Sequence, residues 1–154
     1  MQHVNDSDMK IGICCDHTGV EYKSKLISYL LGKGYEIVNF GTDSTESCDY
    51  PDYAALLADA LAAGECDCGI ALCGTGNGMA IALNHFGHVR AGLAWNQYTA
   101  RMVKAHNHAN VVVLPARCVS YNMAVGIVRT WLATEMEGGR HERRVSKINT
   151  GLSR

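Results

Sequence analysis

Long apolar runs are missing from this 154-residue chain, and no segment reaches the roughly 20 residues that a membrane-spanning helix requires. The first eight residues, Met1–Asp8 (MQHVNDSD), lack the apolar stretch of a secretory signal, so they are expected to form a short N-terminal extension or remnant. A paired cysteine pattern is missing as well. The seven cysteines stand at 14, 15, 48, 66, 68, 73 and 118, an odd number with adjacent or i,i+2 spacings, which excludes a disulfide framework. They read as reduced thiols in a cytoplasmic protein. Acidic residues disappear from one long stretch: no Asp or Glu lies between Cys68 and Thr134, while Arg90, Arg101, Lys104, Arg117, Arg129 and four histidines do.

Behind the formal net charge of −1, residues 1–67 carry twelve acids and four lysines, and residues 68–154 carry three acids and ten Lys/Arg. That asymmetry points to an anionic ligand. The plain alternative is that helix surfaces are segregated by sign and neutralise one another in the fold. The basic residues are scattered rather than clustered, so a nucleic-acid partner is not expected. A chain of this length predicts one domain able to bury about two-thirds of its unfolded surface.

What is present is a repeated alternation. Short apolar runs at Lys10–Cys15, Glu36–Phe40, Gly69–Cys73, Ala91–Trp95 and Val111–Leu114 are each followed by apolar residues at helical spacing. Those helical segments cover Val20–Leu31, Tyr50–Ala63, Gly78–Phe86, Gln97–His106 and Tyr121–Thr134, with Pro51 placed where a first helical turn tolerates it. Five strand-then-helix units predict an α/β fold with a five-stranded parallel sheet and helices on both faces. The tail, residues 136–154, has a double-glycine break followed by dense charge, and is expected to leave the core and pack on another surface.

Ligands of open parallel sheets sit beyond the carboxyl ends of the strands, which selects Asp16-His17, residues 41–50, Cys73–Gly78, Asn96 and 115–117. In Cys73-Gly74-Thr75-Gly76-Asn77-Gly78 a thiol at a strand end precedes a glycine-rich loop that opens a helix, so backbone N–H groups and the positive helix end face the sulfur. This arrangement is expected to favour thiolate and make Cys73 a base or nucleophile. A structural cysteine beside a tight turn is the competing reading. No dinucleotide fingerprint is present, because Met79 occupies the third glycine position and no acid follows until Glu135. A P-loop is excluded by the missing Gly-Lys-Ser/Thr.

His106-Asn107 and Asp16-His17 offer acid and base groups, with a helix-dipole contact and an N-cap as their ordinary alternatives. Arg117, Arg140 and Arg144 carry guanidinium forks suited to phosphate, though a solvated charged tail would look the same. His85-x-x-His88 and His106-x-His108 have no carboxylate nearby in sequence and Cys66-x-Cys68 has no matching second pair, so no metal is expected.

Cys-Asp-His at 15–17, Asp-Tyr-Pro at 49–51, Cys-Gly-Thr-Gly at 73–76, His-Asn at 106–107 and Glu-Gly-Gly-Arg-His at 137–141 together resemble the type B ribose-5-phosphate isomerase family, which includes the galactose-6-phosphate isomerase subunits. The resemblance runs from about Met9 to the end. It implies a Rossmann-like three-layer domain over 9–135, a tail over 136–154 at a dimer interface and phosphate site, and a homodimer or dimer of dimers with shared active sites. It implies a cofactor-free aldose–ketose isomerase of a sugar phosphate, in the non-oxidative pentose phosphate pathway. Cys73 would move the C2 proton with help from Thr75, and the amides of Gly74, Gly76, Asn77 and Gly78 would hold the enediolate oxygen. Asp16 and His106 would open the sugar ring, Tyr50 and Asn107 would bind hydroxyls, and His17, Arg117, Arg140 and Arg144 would bind phosphate. Some relatives carry a glutamate base at the position of Met79; here the cysteine is present instead. An isomerase of a six-carbon sugar phosphate such as allose or galactose 6-phosphate, or a noncatalytic binder, are the alternatives.

Overall fold

The computed structural model describes residues 8–149, so the expected extension Met1–Asp8 lies outside them except for Asp8, as do residues 150–154 of the tail. Five strands, β1 (Lys10–Cys15), β2 (Glu36–Asn39), β3 (Cys68–Cys73), β4 (Ala91–Leu93) and β5 (Val111–Pro115), form one parallel sheet in the order β2-β1-β3-β5-β4. Helices α1 (Val20–Gly32), α2 (Tyr50–Ala62), α3 (Asn77–Asn84), α4 (Gln97–Ala105) and α5 (Tyr121–Ala133) connect and follow them.

Strand side chains alternate between two cores, because successive residues point to opposite faces. Ile11, Ile13, Ile70, Leu72, Val112 and Leu114 meet Leu26 and Leu30 of α1, Ala100 of α4 and Ile127 and Trp131 of α5. Cys14, Ala71, Cys73, Val111 and Val113 meet Leu57 of α2 and Met79 and Leu83 of α3. The central strands are therefore covered on both sides, which explains their unbroken apolar runs. This is the three-layer α/β fold that the alternation predicts.

Local chemistry sets the helix starts. Tyr50-Pro51 opens α2, Asn96 and Thr99 form a capping box at α4, and the Ser120 hydroxyl accepts from Met123 N at α5. Helix α3 starts at Asn77 rather than Gly78, behind a left-handed Gly76 with φ of 80°. One helix was not legible in the sequence: α6 (Arg140–Asn149), whose double-glycine lead and dense charge hide an apolar signal limited to His141 and Val145, four residues apart.

Gly12 and Gly69 are paired across β1 and β3 and form a notch for one side chain. A Cβ on Gly12 would stand 2.7 Å from Leu57 Cδ1, and one on Gly69 would stand 2.9 Å from Leu57 Cδ2. The glycines are thus needed for close approach of α2 to the sheet. Gly12→Ala should cost about 1–3 kcal/mol by overpacking and Leu57→Ala about 2–5 kcal/mol by leaving a cavity. In urea unfolding at fixed protein concentration, the double variant should lose less than the sum by at least about 0.5 kcal/mol. Strict additivity would mean that the notch does not set this contact.

Candidate active site

The strand order reverses direction between β1 and β3, since the chain steps outward to β2 on one side and continues to β3 on the other. Crevices at such switch points bind ligands. The two loops that leave this point carry Asp16-His17 and Cys73–Gly78. Asp16 N donates to Leu72 O at 3.1 Å, tying the loops together. The buried Asp16 carboxylate accepts from Thr18 N at 2.9 Å and Thr18 Oγ1 at 2.6 Å, so it caps the turn before α1 while remaining beside the Cys73 edge.

Four further expected residues gather here. Arg117 N donates to Gly74 O at 3.0 Å. A Cβ on Gly74 would lie 3.3 Å from Arg117 Cδ, so the arginine stem lies over the loop. Thr75 Oγ1 accepts from Asn77 N at 3.3 Å and braces the turn into α3. A Cβ on Gly78 would meet Tyr50 Cζ at 2.6 Å, so only glycine lets the Tyr50 ring lie across the start of α3. His17 Nδ1 accepts from Cys48 N at 3.4 Å; a backbone amide can only donate, so neutral His17 carries its proton on Nε2 and offers a donor to an anion. Sequence reasoning missed Cys48, and also buried Lys23, whose ammonium donates to Asn39 Oδ1 at 2.8 Å and Asp43 Oδ1 at 2.6 Å. Lys23 braces the loop between β2 and α2, and its hydrogen bond, with that from Asn39, holds the Asp43 carboxyl below its ordinary range.

Cys73 is 5% exposed and points to the α3 side of the sheet. Burial pushes its thiol up, while the backbone N–H groups of Met79, Gly76 and Gly78 pull it down and Asp16 adds to the rise. The amide cradle is as expected, but the net shift runs opposite to the expectation that the loop would favour thiolate. Desolvation of a buried anion outweighs three amide dipoles. Cys15 and Cys68, more deeply desolvated, are each pushed up to about 12.

His106, Asn107, Arg140 and Arg144 lie elsewhere. His106 caps the C-terminus of α4, which returns to the edge where β5 begins at Val111, whereas Cys73 pairs with Pro115 at the end of β5. A rise of about 3.3 Å per residue puts those edges about 13 Å apart along the strand. Helix α6 packs at the His106 edge, where the His106 and His141 rings stack with centroids 3.9 Å apart and planes at 2°. Glu137 Oε2 lies 3.6 Å from His106 Nε2 and 3.5 Å from His141 Nε2. Asn107 O accepts from Arg90 Nε at 2.7 Å, and the residue lines a cavity of about 500 Å³ with Asn84, Arg90 and Asn149. Arg140 and Arg144 are exposed. Glu137, His106 and His141 present ligand atoms within 4.8 Å of one another. The parallel rings hold their nitrogen lone pairs in separate planes, however, and these do not converge as metal ligands must.

The Ribose/Galactose Isomerase family profile matches residues 11–148. The chain is 42% identical to ribose-5-phosphate isomerase B of Escherichia coli over 139 residues, 90% of this chain and 93% of the relative. It is also similar to a crystal structure of a ribose 5-phosphate isomerase from Thermotoga maritima (TM-score 0.90, 48% identity, 93% and 99% of the two chains). A further likeness is to ribose-5-phosphate isomerase B from Mycoplasma genitalium with bound ribulose-5-phosphate (TM-score 0.88, 37% identity, 92% and 94%). The fold, with its crevice at the switch point, is thus that of a class of sugar isomerases. The chain belongs to the ribose/galactose isomerase family and is an isomerase.

The raised Cys73 thiol has a measurable consequence. Because burial disfavours the charged form, the thiolate fraction at neutral pH is lower than that of a free cysteine and grows as pH rises. Iodoacetamide labelling read by peptide mass spectrometry should modify Cys73 more slowly than exposed Cys118. The Cys73 rate should climb about tenfold per pH unit between about pH 7 and 9. A rate that levels off near neutrality would show that the amide cradle wins over burial.

Proposed function

We propose that this protein interconverts D-ribose 5-phosphate and D-ribulose 5-phosphate in the cytoplasm, without a metal or redox cofactor, as a homodimer or dimer of dimers with shared sites. The observation that carries this reading is the Cys73 thiol at the switch point, facing the backbone N–H groups of Met79, Gly76 and Gly78. Moving a proton between adjacent carbons needs a base that takes and returns it, and donors fixed where oxyanion charge develops. Cys73 takes the C2 proton and returns it to C1, Thr75 assists, and the amides of the 74–78 loop hold the enediolate oxygen. Asp16 and His106 open the furanose, Tyr50 and Asn107 bind hydroxyls, and His17, Arg117, Arg140 and Arg144 hold the phosphate. The ribose-5-phosphate isomerase B relatives, one with ribulose-5-phosphate bound, favour the five-carbon sugar over a six-carbon one.

The two-edge arrangement of one chain supports the dimer. His106, Asn107, Arg140 and Arg144 sit at the sheet edge opposite Cys73, so a site that uses all of them takes them from a second copy. A two-fold axis then builds two identical sites, each with the Cys73 edge of one subunit and the α6 edge of the other.

Turnover of a panel of aldose phosphates, followed by NMR with and without chelator, should give ribulose 5-phosphate from ribose 5-phosphate as the fastest conversion. Cys73→Ala should reduce kcat more than tenfold, a barrier increase above about 1.4 kcal/mol, with substrate binding by calorimetry nearly unchanged. Faster turnover of allose or galactose 6-phosphate would replace the substrate assignment. For the shared site, Cys73→Ala and His106→Ala proteins dissociated, mixed and reassociated should regain about a quarter of wild-type activity, because half of randomly paired dimers are mixed and one site in each is intact. If mass spectrometry shows heterodimers and activity stays at the parental level, both residues serve the site of one chain.

A further inference from the structure

His106, Glu137 and His141 form a unit of which only His106 has a role so far. Glu137 is held by its backbone: its N–H donates to Ala105 O at 2.9 Å, and its carbonyl contacts His108 Nε2 at 2.7 Å. Its side chain thereby sets one carboxylate oxygen within ion-pair reach of two imidazole nitrogens, 3.6 Å and 3.5 Å away. Both contacts involve Nε2, and among the described residues Nδ1 of neither ring has a hydrogen-bond partner. Two imidazolium rings stacked 3.9 Å apart would repel, and a single carboxylate facing both offsets one positive charge.

Resting on the reading that His106 takes part in ring opening, we propose that Glu137 is a positioning residue for His106, holding the stacked His106–His141 pair by its Nε2 edge and leaving Nδ1 free to meet the sugar. The titratable and charged groups around the pair are Glu137 before α6, Arg140 and Arg144 on α6, and His108 after α4. Burial, then His106, Arg140 and Arg144, push the His141 imidazole below its ordinary range, and Glu137 alone opposes them. Neutral His141 is therefore favoured, and Glu137 is the one neighbour that works the other way. Ring opening moves one proton out of the stack and one back. The C1–O4 bond breaks with its electron pair going to O4, which takes a proton from the stack; the O1–H pair forms the C1 carbonyl, and its proton returns to the stack. No net proton is gained or lost.

The test compares Glu137→Gln, Glu137→Asp and His106→Ala in the intact assembly, running the reaction both ways. Ribulose 5-phosphate has its 5-hydroxyl blocked and has no furanose to open, so it enters the reaction beyond that step, and its open-chain aldose product can leave the enzyme and close its ring in solution. Glu137→Gln should lower kcat from ribose 5-phosphate by about tenfold or more and kcat from ribulose 5-phosphate by less than about twofold. The limb of the forward pH profile set by the stack should move to lower pH, because removing the carboxylate makes the imidazolium less favourable. Glu137→Asp should recover part of the forward rate. Normal forward rates in Glu137→Gln with an impaired His106→Ala overturn the positioning role and leave the ring-opening reading standing; normal forward rates in His106→Ala overturn that reading as well. Equal losses in both directions make Glu137 merely structural. Activity lost to chelator and restored by Zn²⁺ turns the three side chains into a metal site and overturns the proposal.

Discussion

The pairing of β1 with β3 is the constraint on which the Cys73 edge depends. Their register sets Cys15 opposite Leu72, so both strands end at the same level and release their loops side by side. Each loop then has its own geometric demand. Left-handed Gly76 turns the chain into α3 with its first N–H groups toward Cys73, and Asp16 folds back on Thr18 in the turn before α1. The paired glycines at 12 and 69 bring α2 close to the sheet, and with it Tyr50 at the first position of α2, whose ring covers Gly78. Packing at the centre of the sheet and chemistry at its edge are therefore one requirement.

The architecture was legible because its signals are local. Unbroken apolar runs in β1, β3 and β5 and a proline at the start of α2 each act within a few residues, and each ended up where the pattern put it. Helix α6 was hidden because only His141 and Val145 are buried, and both sit in a run of charge. Glu137 and His141 stood in a recognised motif without roles, since their meaning comes from His106, some 30 residues earlier on α4. Cys48 and Lys23 carried no signal at all; their contacts with His17, Asn39 and Asp43 are products of loop folding.

The separation of charge along the sequence also takes on a spatial meaning. Arg117 lies over the Gly74 loop at one edge, while Arg140 and Arg144 lie on α6 beside the histidine stack at the other. In one chain these guanidinium groups start from opposite ends of the strands. The two-fold assembly proposed above would bring the two ends together, and it would give the spread of the basic half of the chain over both of them a use. The lack of acids between Cys68 and Thr134 keeps β3, β4, β5 and the helices between them free of carboxylates that would repel a phosphate.

Burial of Cys73 bears directly on its proposed work. A hydrogen on a carbon beside a carbonyl is a far weaker acid than any thiol, so the strength of the base matters as well as the fraction of it that is ready. Desolvation raises the thiol and reduces the thiolate population, yet it makes each thiolate a stronger base toward carbon. In the proposed mechanism the same amides that partly offset burial, from Gly76, Gly78 and Met79, would face the enediolate oxygen as it gains charge and the sulfur loses it. One set of N–H groups can then serve both anions in turn, first beside the thiolate and then beside the oxygen, without rearranging. A more exposed thiol would ionise more readily and give up that advantage. A dry, amide-lined position at the end of β3 is accordingly a better place for a base that must return its proton than a solvent-facing loop.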